Sequence, residues 1–333
     1  MDLSRQTTLE LGGPARRMIS AATDDALIDA IRDCDARGER AFVLGSGSNV
    51  VFADEGFDGT VVRVATRGIV IDGDVVDVAA GEPWDDLVAW SVRSGRAGLE
   101  CLSGIPGLVG ATPMQNVGAY GQEVKDTLVR VRAWDRQAGR VVSLSREECR
   151  LSYRHSMLKE TAWRGVVLRV SFELKRSASA SVRYAELARA LGGESAPLGA
   201  VRAAVLALRR SKGMVLDPFD ADTRSAGSFF VNPTMDEAAY AALAARAGDV
   251  PRFPAEGGRV KVPAAWLIER AGFAKGTARG RAAISTKHAL ALTNRGGATT
   301  AELIALAREI RDAVHARFAV TLDPEPILVG CAL

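Results

Sequence analysis

Apolar side chains recur at helical spacing over residues 24–37, where Ala26, Leu27, Ala30, Ile31 and Cys34 share one face behind Thr23 and before Gly38. That spacing predicts an amphipathic helix. Short apolar runs at 41–44 and 50–52 flank Gly45-Ser46-Gly47-Ser48-Asn49 and predict two buried strands joined by a glycine-rich loop. From about 61 to 81 the pattern turns to β, and Ile69-Val70-Ile71, an Asp72-Gly73 turn and Val75-Val76-Asp77-Val78 predict a hairpin. Residues 84–92 read as a helix, and 129–134, 141–144 and 166–174 as strands. Beyond a serine-rich stretch at 176–181 helices predominate, at 201–210, 236–247, 264–271 and 301–318, with a strand at 289–293. Residues 319–330 return to short apolar runs suited to adding strands to an earlier domain.

At 333 residues the chain has room for two or three domains. It is 47% hydrophobic and 25% charged, and no apolar run approaches bilayer length. The first thirty residues lack the pattern of an export signal, so a cytoplasmic protein is expected. Cys34, Cys101, Cys149 and Cys331 lie far apart, and His155, His288 and His315 show no ligand spacing, so neither disulfides nor a metal is expected. The net charge of +3 is dispersed; it argues against nucleic acid and suits a phosphate-bearing substrate.

The first glycine-rich loop begins like a dinucleotide fingerprint but lacks the third glycine and leads into a strand, which disfavours a Rossmann site. Alone it reads equally well as a tight turn. Residues 103–121 hold five glycines, in Gly104-Ile105-Pro106-Gly107, Gly110-Ala111-Thr112 and Gly118-Ala119-Tyr120-Gly121 around Gln115-Asn116, too many for a regular element. Backbone amides in such a loop converge on phosphate oxygens, and Gln115 and Asn116 suit the rim of a heterocycle.

The pairing of these loops resembles the flavin-binding domain of the UDP-N-acetylenolpyruvoylglucosamine reductase family. Three later motifs extend the resemblance over about residues 7–331: Tyr153-Arg154, Ser225-Ala226-Gly227-Ser228-Phe229-Phe230 leading to Asn232, and Leu322-Asp323-Pro324-Glu325. The resemblance implies an α+β fold of vanillyl-alcohol-oxidase type with two FAD-binding lobes, 1–65 (rejoined by 319–333) and 66–176. A C-terminal α/β substrate-binding domain would span 177–318. It implies noncovalent FAD held by Gly45, Ser46, Gly47, Ser48, Asn49 and, Gly107 apart, the residues of the second loop named above. It further implies Arg154, Ser228 and Glu325 as catalytic residues, and Tyr184, Lys212 and Asn232 on the substrate, with NADPH as hydride donor. The substrate would be UDP-N-acetylglucosamine enolpyruvate, and a monomer is expected. Taken singly, Arg154 reads as a surface arginine, Ser228 as the end of a turn and Glu325 as a solvated carboxylate. Their joint occurrence with both loops points to a site. Val231 and Lys287-His288 depart from the family's pattern.

In that implied reaction, Arg154 meets charge developing on a carboxylate and Ser228 delivers a proton, while Glu325 either orients Arg154 or bonds in neutral form to the developing enolate. Two other readings stay open: an FAD-dependent alcohol or lactone oxidase of the same fold, and a nucleotide-binding module without turnover. No histidine precedes His155, which excludes histidyl attachment of flavin in either loop.

Overall fold

In the computed structural model, which describes residues 1–160 and 164–333, the first predicted helix spans Asp24–Ala36 (α1). The Thr23 hydroxyl caps it by accepting from the Ala26 N–H at 3.1 Å, and Leu27, Ile31 and Cys34 form its buried stripe. Contacts divide the chain into two units. One holds Met1, 15–47 and 58–215; the other holds 2–14, 48–57 and 216–333.

The first unit is built on a five-stranded antiparallel sheet in the order Arg140–Ser145, Leu128–Asp135, Gly165–Glu173, Val75–Ala79, Ile69–Asp72. The predicted hairpin closes its edge, with Gly73 at φ 59° in the turn. Alternation on the sheet buries Val76, Val78, Val131 and Ala133. The helix Trp84–Arg93 (α2) contributes Trp84, whose ring lies 5.9 Å from that of Phe172. A smaller sheet orders Ala15–Ala21, Phe57–Val64 and Ala41–Leu44, the last two parallel. Two further helices, Ala185–Leu191 (α3) and Leu198–Ser211 (α4), bury Leu187, Val201 and Val205 against Cys101 and Val182. Residues 177–215 therefore cluster with this unit, whereas the sequence reading began a separate substrate domain at 177.

In the second unit a four-stranded sheet runs in the order Ser225–Ser228, Ala291–Asn294, Ala282–Ile284, Ala278–Arg279. It packs with Glu237–Ala247 (α5), Ala264–Arg270 (α6) and Thr300–Phe318 (α7) around Phe229, Leu267, Leu292, Leu306 and Ile310. A capping box starts α7: the Thr299 hydroxyl accepts from the Glu302 N–H, and the Glu302 carboxylate accepts from the Thr299 N–H. Ile327–Val329, in the C-terminal apolar run, pairs in parallel with Val50–Phe52, and both strands cluster in the second unit. The two strands expected to flank the first loop both form, yet they pair in different units. Among the described residues no helix is long and apolar enough to cross a membrane.

Candidate active site

In the first unit, residues 102–123 fold as short 3-10 turns and a two-residue hairpin rather than a free loop. The segment is laced to α2 and the chain before it. Trp84 N–H donates to the Gly107 carbonyl at 3.0 Å, Val109 N–H to Glu82 at 2.9 Å and Gly110 N–H to Ala80 at 2.8 Å. Gly104 takes φ 72°, and a Cβ there would lie 2.7 Å from Leu206 Cδ2, so a side chain would strain the backbone and displace Leu206. A Cβ on Gly45 would meet Leu108 at 3.7 Å, an ordinary contact, which places the start of the first glycine-rich loop beside the second. In that first loop Gly47 has φ 70°. Gly45, Ser46 and Gly47 belong to the first unit, and Ser48 and Asn49 to the second.

This arrangement fits FAD as a ligand. In these two turns Gly47, Gly104, Gly107 and Gly121 take positive φ, where a side chain would strain the backbone, and a Cβ on Gly104, Gly110 or Gly118 would lie within 3.0 Å of a neighbour, so the main chain there suits close approach to a phosphate. Not every expected contact residue points its polar atoms that way. Asn116 is fully buried and bonds to Glu123, Ser152 and Lys125, and the Thr112 hydroxyl donates to the Val109 carbonyl at 2.8 Å. These two brace the loop.

Arg154 sits in a tight turn in which Ser152 and His155 exchange backbone hydrogen bonds of 3.1 and 3.2 Å. Its φ of 55° is rare for a side chain of this size and marks a backbone held by its surroundings. Its Nη2 donates to the Gly118 carbonyl at 3.2 Å, and its guanidinium lies 5.4 Å from the Tyr153 ring centroid. The fold thus joins Arg154 to the second loop. At the loop's end Tyr120 packs edge-on against Tyr184, with ring centroids 5.4 Å apart, and the Lys212 ammonium stands 5.7 Å from the Tyr120 centroid. Lys212 is gripped by both oxygens of Glu186, at 3.0 and 2.7 Å. Burial pulls the Lys212 pKa down, but the Glu186 bonds and neighbouring charge leave it above its ordinary value. Burial likewise raises the Tyr120 hydroxyl, against the opposing charges of Lys212 and Arg209. Sequence reading missed Glu186; its signal was the spacing of an acid in the first turn of the helix that follows Tyr184.

In the second unit the structure brings Ser228 and Glu325 together. Ser228 ends a strand in register with Ala291, after Gly227 at φ 74°. Phe229 and Phe230 are buried with ring centroids 5.2 Å apart, and Phe230 forms an antiparallel bridge with Pro324. Glu325 N–H donates to the Phe229 carbonyl at 2.8 Å, and Val231 N–H donates to Asp323 at 3.0 Å. Asn49 brackets the same segment: its Nδ2 donates to the Glu325 carbonyl at 3.4 Å, and its own carbonyl accepts from Ile327 N–H at 3.0 Å. Ser228 and Glu325 are both partly buried. Asn232 Oδ1 accepts from Ala264 N–H at 2.9 Å, the start of α6. Lys287 pairs with Asp220, and the His288 ring accepts from Leu290 N–H at 3.3 Å. Arg154, Tyr184 and Lys212 lie in the first unit; Ser228, Asn232 and Glu325 lie in the second.

Residues 15–145 match the FAD binding domain, and residues 217–329 match the UDP-N-acetylenolpyruvoylglucosamine reductase C-terminal domain. The chain is 54% identical to the UDP-N-acetylenolpyruvoylglucosamine reductase of Streptomyces coelicolor, over 99% of this chain and 90% of that one. It is 56% identical to the protein of the same name from Saccharopolyspora erythraea, over 99% and 95%. A crystal structure of the Thermus caldophilus reductase superposes with a TM-score of 0.71 at 26% identity, covering 99% of this chain and 97% of the other. With two domain matches in chain order and relatives aligned almost end to end, the chain belongs to the UDP-N-acetylenolpyruvoylglucosamine reductase family.

Proposed function

We propose that this protein reduces UDP-N-acetylglucosamine enolpyruvate to UDP-N-acetylmuramate with NADPH, through noncovalently held FAD, as a monomer in the cytoplasm, supplying peptidoglycan synthesis. The observation that carries the reading is the fastening of Ser228 beside Glu325 by the Glu325 N–H bond to Phe229, in a chain matched along nearly its whole length to reductases of this name. The oxidase alternative loses ground for the same reason.

FAD would lie against the backbone of residues 45–49 and 104–121, and when bound and reduced it supplies the hydride. Arg154, aimed at the second loop by its turn, offers a planar cation to the substrate carboxylate, a contact that strengthens as negative charge moves onto that group. Ser228 carries the hydroxyl proton that the other alkene carbon needs. Glu325 serves either by orienting Arg154 or by bonding to the enolate oxygen in its neutral form. Lys212 and Tyr184 suit the diphosphate and its cover, Lys212 exchanging Glu186 for phosphate. Ser228 and Glu325 belong to the second unit, while α3 and α4 belong to the first with residues 102–123. Monitoring NADPH oxidation with and without the enolpyruvyl sugar tests the assignment: sugar-dependent turnover is expected, and oxidation indifferent to the sugar would refute it.

A further inference from the structure

Asp85, in the first turn of α2, makes no cap to its own helix and instead reaches the second glycine-rich loop. Its Oδ1 accepts the Gly104 N–H at 2.6 Å and Arg202 Nη1 at 2.6 Å, and its Oδ2 accepts Arg202 Nη2 at 2.8 Å. The pair is bidentate, the fork-to-fork geometry that fixes a carboxylate in direction as well as distance. We propose that Asp85 and Arg202 are positioning residues for cofactor binding, a clamp from α2 and α4 that holds Gly104 and with it the turn at 102–107. The proposal rests on the reading that this loop holds FAD.

Three further observations converge on that turn. Trp84 binds it at both ends, through its N–H to the Gly107 carbonyl at 3.0 Å and its Nε1 to the Leu102 carbonyl at 3.1 Å. From the other side, Leu206 of α4 and Val215 close on Gly104, standing 2.7 and 3.1 Å from where a Cβ would be. Arg209 follows Arg202 by seven residues, two turns along the same face of α4, and its Nη2 donates to the Met214 carbonyl at 2.7 Å. Burial raises the Asp85 pKa, but the Arg202 bond, the Gly104 N–H and the charges of Arg202 and Arg209 outweigh it and hold the carboxyl below its ordinary value. Asp85 is thus ionised at neutral pH, and its bond to Gly104 is charge-assisted. Gly104 N–H, directed at Asp85, bends and anchors the loop instead of meeting a phosphate, so the amides that follow it inherit their direction from the clamp.

FAD titration of the apoprotein by fluorescence quenching, paired with hydrogen exchange at the Gly104 amide, tests this. Asp85→Leu is expected to weaken FAD binding by about ten-fold or more, the scale of a lost charged hydrogen bond, and to speed exchange at Gly104 even without flavin. Asp85→Asn, which keeps an acceptor oxygen, should recover most of the affinity. Arg202→Met should shift both readouts the same way by less, and adding it to Asp85→Leu should cost little more, since both act through one bond. Wild-type binding and exchange in Asp85→Leu would overturn the clamp. Should that variant fail to fold by far-UV circular dichroism, Arg202→Met carries the test, and unchanged affinity and exchange there would overturn it equally. Failure of the wild-type protein to bind FAD would instead refute the cofactor reading, while Gly104 exchange would still report on the clamp.

Discussion

Asn116 donates from Nδ2 to the Glu123 carboxylate at 2.8 Å and to the Ser152 carbonyl at 3.1 Å, while its Oδ1 accepts the Lys125 N–H at 3.0 Å. One buried amide therefore ties the flavin loop to the turn that carries Arg154. Asparagine also tolerates the φ of 44° found here. Asn116→Leu is expected to cost about 1–3 kcal/mol, because the Lys125 N–H loses its Asn116 acceptor and the Ser152 carbonyl is left with the His155 N–H alone. Asn116→Asp should be worse, because it sets a second carboxylate against Glu123. Thermal midpoints of the apoprotein check this, and unchanged values in both variants would deny Asn116 its bracing role.

Arg154→Lys is expected to lose most of its turnover although it keeps the charge. An ammonium cannot hold a carboxylate through two directed bonds, nor reproduce the guanidinium's reach to the Gly118 carbonyl. Steady-state kinetics should show the deficit in kcat with FAD content unaltered. Turnover equal to wild type would remove Arg154 from the mechanism.

Purified protein should be yellow, and mild acid or heat should release intact FAD, because the glycine-rich turns offer backbone amides and residues 1–154 contain no histidine for attachment. Absorbance of the supernatant after precipitation measures this. Flavin retained on the denatured chain would contradict it.

Helix positions were legible because their periodicity is carried within the element: α1 and α7 begin directly after Thr23 and Thr299, which cap them. The loops and the motif at Ser228 were equally plain, since glycines and short fixed strings mark them. Partnership was not. Nothing local to residues 41–44 and 50–52 says that one strand pairs with Phe57–Val64 and the other with Ile327–Val329, because pairing across 277 positions is set by the whole fold. The serine-rich stretch at 176–181 suggested a boundary, yet Ser179–Ser181 pairs with Ser195–Pro197, and α4 packs beside α2. Asp85 and Arg202 escaped notice because each is an ordinary charged helical residue until the fold sets them together.

Asp222 is the hub of the segment that carries Lys287 and His288. It is 5% exposed, accepts from Thr286 N–H at 2.9 Å and from the Thr286 hydroxyl at 2.5 Å, and pairs with Arg295 at 2.7 Å. Burial raises its pKa, but those bonds and charges bring it below the ordinary value of 3.8. Because the folded value is the lower one, the stability from this group is present above pH 3.8 and is lost as pH falls through the folded pKa. Asp222→Asn should therefore be less stable than wild type at pH 7 by about 1–3 kcal/mol, and the gap should narrow below pH 3.8. Urea midpoints at several pH values measure this; a gap independent of pH would show that Asp222 acts through shape alone.

Ser228→Ala is expected to separate the two halves of the reaction. The hydroxyl is needed only where a proton reaches carbon, and the backbone around it is held independently by buried Phe229 and Phe230 and by the Glu325 N–H. Bleaching of the flavin by NADPH should therefore survive. Recovery of its absorbance on adding the enolpyruvyl sugar should slow by roughly two orders of magnitude or more, the scale of a lost general acid. Ser228→Cys keeps a proton on a similar side chain and should restore part of the rate. Anaerobic rapid mixing follows each half separately. Equal slowing of both halves, or of bleaching alone, would show that Ser228 positions flavin or nicotinamide and that the proton comes from another group.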